Sequence, residues 1–375
     1  MKKKTCVFWG LGIILMVIPV FFAGCAEITF SASPLPNTPE IIDAHPLGAV
    51  TPIFTQLPPT NVITPSLDVP QGRLINDFPD ICVPLGVSPD TIWVIGTCGG
   101  KLEALKANEP PVILFENAGG SVDFSPDGKK ITLLIDRFDD GERRFYIWVY
   151  NIGEWHNPTL LLSYLSEMRG SGIKWAPDSQ SIAVSYLENG YALSILSLDG
   201  TYKNLLTYED VQREEGDGQE LFGPTWSPDG KKIAYVNADF LDEHPVQLRT
   251  VEIATGKKEL LYSGKPEEAG VKPIWSPDGE KIAFSCSMKK ACPVYIYNIK
   301  NQTISSIGNF HLGSQLVWSP DGKYLAGFNG WLYVINTETN QLTDFQLSCS
   351  RFYGWDGNNE VIVEINSAIY SIPFP

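Results

Sequence analysis

A phrase that returns at near-regular intervals governs every reading of this chain. "PTWSPDGKKIAYVNA" begins at Pro224, "PIWSPDGEKIAFSCS" at Pro273 and "QLVWSPDGKYLAGFN" at Gln315. Such repetition marks one structural unit stacked on copies of itself. The phrase reads as a β-hairpin. An apolar run ends in Trp, and the residues after the turn, as in "KKIAYV", are again apolar and β-branched with strand-like spacing. Between them, Pro presets φ for a type I turn, Ser accepts from nearby amides, and Gly supplies the left-handed residue that closes a three-residue loop.

Weaker copies are "LGVSPDTIWVI" at Leu85, "VDFSPDGKKITLLI" at Val122, "IKWAPDSQSIAVSY" at Ile173 and "YGWDGNNEVIVEI" at Tyr353. The position before the turn is held by Val87, Phe124, Trp175, Trp226, Trp275, Trp318 and Trp355, at intervals of 37 to 51 residues. Between successive hairpins there is room for two more strands, for example "LRTVEIATG" then "KKELLYS". Four strands per repeat of this length predict an all-β, seven-bladed β-propeller of four-stranded antiparallel blades. After Trp355 only 20 residues remain, enough to complete three strands and leave an edge unpaired. We therefore expect "GRLINDF", Gly72 to Phe78, to supply the outer strand of the seventh blade; six blades plus an irregular unit is the alternative.

The W-S-P-D-G-K core resembles the TolB-type β-propeller repeat, which also occurs in propeller domains of prolyl-oligopeptidase-like enzymes and some polysaccharide lyases. The likeness covers roughly residues 83 to 375. It is strong at Trp226–Gly230, Trp275–Gly279 and Trp318–Gly322, looser at Ser88, Ser125 and Ala176, and degenerate at Trp355. It implies a fold far more firmly than an activity, since one scaffold hosts many functions.

The N-terminus "MKKKTCVFWGLGIILMVIPVFFAGC" joins three lysines to an apolar run and small residues before Cys25, the pattern of a secretory signal. The ending "FFAGC" resembles a bacterial lipobox, which implies lipidation of Cys25. The expected organisation is a lipoprotein signal peptide over 1–24, a Pro/Thr-rich linker over 25–71 and the propeller over 72–375. An uncleaved transmembrane anchor is the alternative. Residues 26–71 hold nine prolines and no Lys or Arg; such a tract spans about 3 Å per residue as an extended spacer. Export to the bacterial cell envelope, extracytoplasmic and lipid-anchored to the membrane, follows.

Cysteine use agrees. Cys82 and Cys98 lie on opposite strands of the first hairpin, Cys286 and Cys292 flank "SMKKA", and both pairs are expected as disulfides of an oxidising compartment. Cys349 is left as a buried thiol or a competitor for Cys82. The net charge of −15 repels phosphate backbones, so no nucleic acid is expected as partner.

In such blades the Pro-Asp turns share one face of the ring, and the connections on the other face are long and varied. These include "DRFDDGERR", "YEDVQREEGDGQELFG" and "NADFLDEHPVQ". Loops on a rigid scaffold carry binding residues, so ligand-binding candidates are Asp139, Asp140, Glu142, Glu214, Glu215, Asp242, His244 and His311. The carboxylates could hold Ca²⁺, although "DRFDDGERR" lacks the alternation of a dedicated calcium loop. His244 and His311 with nearby acids could hold a metal, but scattered surface histidines are the plainer reading. The Trp column reads as packing between blades and the turn Asp as a cap of its own loop.

No G-x-S-x-G elbow is present and no α/β domain follows the propeller, so no catalytic residue is assigned. Two functions remain. The first is a non-enzymatic scaffold that binds a protein, peptide or envelope polymer, with no cofactor. The second is an extracytoplasmic propeller enzyme, a polysaccharide lyase or hydrolase working by metal-assisted or carboxylate chemistry.

Overall fold

The computed structural model describes residues 73–77, 82–116, 119–139, 142–165, 172–188, 191–207, 210, 219–239, 246–264, 272–285, 292–310, 315–328, 331–339, 341–349, 351–356, 360–365 and 368–373. All lie within the compact unit Val50–Pro375. Among them, 28 strands form seven four-stranded antiparallel sheets. The sheets follow one another along the chain as blades over 82–116, 119–165, 172–207, 219–263, 274–310, 315–348 and 351–373.

Each blade opens with an inner strand: Cys82–Val87, Gly119–Phe124, Gly172–Trp175, Gln219–Trp226, Ile274–Trp275, Gln315–Trp318 and Arg351–Trp355. Successive inner strands touch one another, which sets them around the axis of the ring. The seventh blade has only three strands of its own. Its fourth is Arg73–Asp77, which pairs antiparallel with Ala368–Pro373 in a register running from Arg73 opposite Ser371 to Asp77 opposite Ala368. The expected closing strand is thus found where the unpaired edge demanded it; Gly72 and Phe78 fall outside the described residues.

The turn chemistry is the one the repeated phrase dictates. In blade four, Ser227 Oγ donates to Asp229 Oδ1 at 2.7 Å, Asp229 Oδ1 accepts from the Lys231 amide at 3.1 Å, and Ser227 Oγ accepts from the Lys232 amide at 2.9 Å. The Gly position is left-handed throughout, with φ of 67° at Gly128, 69° at Gly230, 74° at Gly279 and 71° at Gly322. Blade three departs from this pattern: Ala176 has no hydroxyl, and Ser179 takes the left-handed position at φ 58°. Ser179 Oγ instead accepts from the Asp127 amide of blade two at 3.1 Å, joining neighbouring turns.

There is no single core. Seven apolar clusters each combine residues of two adjacent blades, closing with Cys82, Val94 and Cys98 of blade one against Ile362 and Ile369 of blade seven. Covered on both faces, the second strands read as continuous apolar runs. Ile131 to Ile135 are all buried, as are Ile233 to Asn237.

The tryptophan column packs between blades and adds a hydrogen bond. Nε1 of Trp175, Trp226, Trp318 and Trp355 donates to the carbonyl of Asp123, Lys174, Ile274 and Val317 respectively, at 3.0–3.2 Å. Each acceptor lies one residue before the column position of the preceding blade. Trp275 is the exception: its Nε1 is buried with no hydrogen-bond partner.

Candidate functional site

The two ends of the ring are built differently. At the Pro-Asp end, the hydroxyl and carboxylate of each complete Ser-Pro-Asp turn clamp the loop, and these serines are buried. At the other end, lengths vary from blade to blade. Blade two extends its middle hairpin to ten residues per strand, Lys130–Asp139 and Glu142–Asn151, while the second strands of blades five and six, Lys281–Ser285 and Tyr324–Phe328, have five.

This extension corrects the reading of "DRFDDGERR" as a loop. Asp136 to Asp139 pair in register with Phe145 to Glu142, because the antiparallel ladder continues beyond the blade as a solvent-facing ribbon. At its base Asp136 lies opposite the buried Phe145, and beyond it the pairing brings mostly charged residues together. Asp139 lies opposite Glu142 in this ribbon, and Arg137 lies opposite Arg144. Glu142 is exposed and pairs with Arg144 at 3.6 Å, an exposed contact of little energetic weight. Likewise, Gln219–Gly223 and Asn237–Asp239, read as loop, belong to strands of blade four.

The other binding candidates, Asp140, Glu214, Glu215, Asp242, His244 and His311, lie outside the described residues, as does Cys25. Cys82 and Cys98 form the expected disulfide. The expected Cys286–Cys292 pairing falls outside the described residues. Cys349 is a buried free cysteine whose thiol burial pushes up to about 12, so it is inert as a nucleophile. It packs between blades six and seven, whereas the disulfide packs between seven and one. Among the described residues, no group of three or more His, Cys, Asp or Glu side chains is placed to hold a metal ion.

What the sequence reading missed is an ionic contact between the inner strands of neighbouring blades. Asp123 on the inner strand of blade two binds Lys174 of blade three through Oδ1 at 2.6 Å and accepts from the Trp175 amide through Oδ2 at 2.8 Å. Lys272, entering blade five, interacts electrostatically with both Lys174 and Asp123. Its side chain keeps solvent contact, yet protein crowds it; burial first, and the Lys174 ammonium second, hold its pKa below the ordinary lysine value. The only signal in the sequence is position: Asp123 and Lys174 sit one residue before the column, and Lys272 three before it.

At the ring junction, Arg351 of blade seven donates from Nη1 to the Pro84 carbonyl of blade one at 2.7 Å. Its Nε lies 3.8 Å from the largely buried Glu364, which also accepts from the Tyr353 hydroxyl at 2.9 Å. Burial, reinforced by the neighbouring Glu364 charge, raises the Tyr353 pKa. This cluster is a seam between first and last blades.

The fold is a closed seven-bladed β-propeller. Residues 185–330 match the family model described as the TolB beta propeller domain. Solved structures of similar fold include an oligogalacturonate lyase in complex with manganese, at 14% identity and TM-score 0.50 over 81% of this chain and 78% of that one. Hydrazine synthase from Kuenenia stuttgartiensis is similar at 13% identity and TM-score 0.54, over 79% of this chain and 97% of that one. TolB from Acinetobacter baumannii matches at 16% identity and TM-score 0.46 over 72% of this chain, which spans 64% of the length of that one. At these identities the likeness is one of fold. No curated protein matches.

Proposed function

We propose that this chain is a cell-envelope lipoprotein whose propeller is a non-enzymatic scaffold, binding a protein, peptide or envelope polymer with its variable face. The observation that carries this reading is the unequal build of the two ends: one is locked turn by turn, while the other varies in length from blade to blade. A rigid body with one variable face is the general form of a recognition module. In this reading residues 1–24 are removed, Cys25 carries lipid, 25–71 is the spacer and 72–375 the propeller.

The test is crosslinking in intact cells, followed by identification of the attached species, with wild type beside a variant lacking 211–218. The deletion avoids the strand that begins at Gln219. Loss of the crosslink with an unchanged melting temperature supports the reading; an undiminished crosslink places recognition elsewhere. Tightly bound metal by elemental analysis, with turnover of a glycan panel that disappears in H244A and H311A, would replace the scaffold by an enzyme.

A further inference from the structure

Across the second and third strands of blade four the register gathers polar side chains on one face. Tyr235 lies opposite Arg249, and Asn237 lies opposite Gln247 at the end of that ladder towards the variable face. The same face packs on blade three, where Tyr235 joins Leu193, Leu205 and Leu206. Tyr235 and Gln247 are buried, with 0% and 1% of their surface exposed, while Arg249 is half-buried and keeps solvent contact.

This group holds donors that lack acceptors. Arg249 Nε donates to Gln247 Oε1 at 2.9 Å. A guanidinium can only donate, so the Gln247 amide must turn its oxygen to Arg249 and its nitrogen away. That buried Nε2 meets no acceptor. The Tyr235 hydroxyl is also buried without a hydrogen-bond partner, although Arg249 is its cross-strand neighbour. Arg249 itself makes no ion pair among the described residues. Asp210, the carboxylate that acts on Tyr235 from beyond the outer strand of blade three, is already taken by the Thr207 amide at 2.8 Å and the Lys258 ammonium. Buried donors left unmade are costly, and three together call for an occupant.

We infer that Arg249, Gln247 and Tyr235 form a site at the seam of blades three and four that takes one carboxylate group of a ligand. The donor set selects the class. A water accepts from two of these groups but brings protons that need acceptors of their own, whereas a carboxylate donates nothing, offers about four acceptor positions and neutralises Arg249. A phosphate dianion would leave one charge unpaired. The site lies at the variable end, so its place in recognition rests on the proposed binding by that face.

The test follows the melting temperature of the full chain in rising acetate, beside parallel series in chloride and in neutral acetamide at equal ionic strength. Wild type should gain a saturable stabilisation in acetate alone. R249M should raise the acetate concentration giving half the effect about tenfold, the factor expected for one charge-assisted hydrogen bond. Y235F, which removes only the hydroxyl, should raise it about threefold without lowering the melting temperature in chloride, because the deleted donor has no partner to lose. Equal curves in acetate and chloride, the same gain in acetamide, or a half-effect concentration unmoved by both substitutions would each overturn the site. A lower melting temperature for Y235F in chloride, with no response to acetate, would assign the donors to buried water instead. The wild-type series decides the matter even if R249M fails to fold. Loss of the acetate response leaves the crosslink at the variable face standing, and loss of the crosslink leaves the acetate response, so the two proposals fail separately.

Discussion

Tryptophan at the column position packs against the neighbouring blade and, in four blades, ties itself to that neighbour's backbone. The unpartnered Trp275 provides an internal comparison. W226F and W318F are expected to lose about 1 kcal/mol more than W275F in urea unfolding, since each forfeits a hydrogen bond that Trp275 does not make. Equal losses in all three would mean that the bond adds nothing to packing. The turn carboxylates make a second prediction. Asp127 and Asp229 are held below the ordinary carboxylate range chiefly by the Ser125 and Ser227 hydroxyls. At Asp278 and Asp321 burial is the largest single effect and opposes the shift, and the Ser276 and Ser319 hydroxyls outweigh it only together with the Glu280 and Lys323 amides and the Lys281 and Lys323 charges. A depressed native pKa stabilises the fold fully above the unfolded value, near ~3.9, and that contribution is lost as pH falls through the native value. Replacing the four serines by alanine should therefore start acid unfolding at a higher pH, read from melting temperature against pH; an unchanged acid limb would assign the low pKa to another cause.

The ring closes at one seam through the Arg73–Asp77 strand and the Arg351 contact with the Pro84 carbonyl, and the Cys82–Cys98 bridge within blade one packs against that seam. The bridge closes a loop of sequence separation 16, for which chain entropy gives about 3 kcal/mol. C82S/C98S should lose stability of that order under non-reducing conditions, and wild type should lose as much on adding a reductant. R351M would leave the largely buried Glu364 with the Tyr353 hydroxyl alone; because Arg351 is 42% exposed and 3.8 Å away, the loss is expected to be on the order of 1 kcal/mol. E364Q in the same background should recover part of that loss in urea unfolding; no recovery would show that Arg351 acts through Pro84 alone.

For the molecule as a whole, seven clusters shared between neighbours mean that no blade buries its faces alone. Deleting the chain up to Asp77 should thus lower the melting temperature of the entire propeller, with one transition by both fluorescence and circular dichroism. Blade seven unfolding separately, or an unchanged melting temperature, would show the closure to be incidental. The proposed lipid anchor is tested at the same scale: if Cys25 carries lipid, C25A moves the protein from the membrane fraction to the soluble extracytoplasmic fraction and abolishes metabolic lipid labelling, while the isolated propeller keeps its melting temperature.

Blade count, turn type, the closing strand and the first disulfide were legible in the chain because each rests on local chemistry. Ser-Pro-Asp-Gly permits few backbone paths, apolar runs must be covered, and an unpaired edge must find a strand. The contact of Asp123 with Lys174 and the Trp175 amide was not legible, since the two side chains lie 51 residues apart and meet only when neighbouring blades pack. Nor did the sequence show that "DRFDDGERR" continues a ladder, because charged residues read as loop until a partner strand is in register. Local preference selects the unit and its number; which side chains of neighbouring blades meet is decided by how the assembled ring packs them.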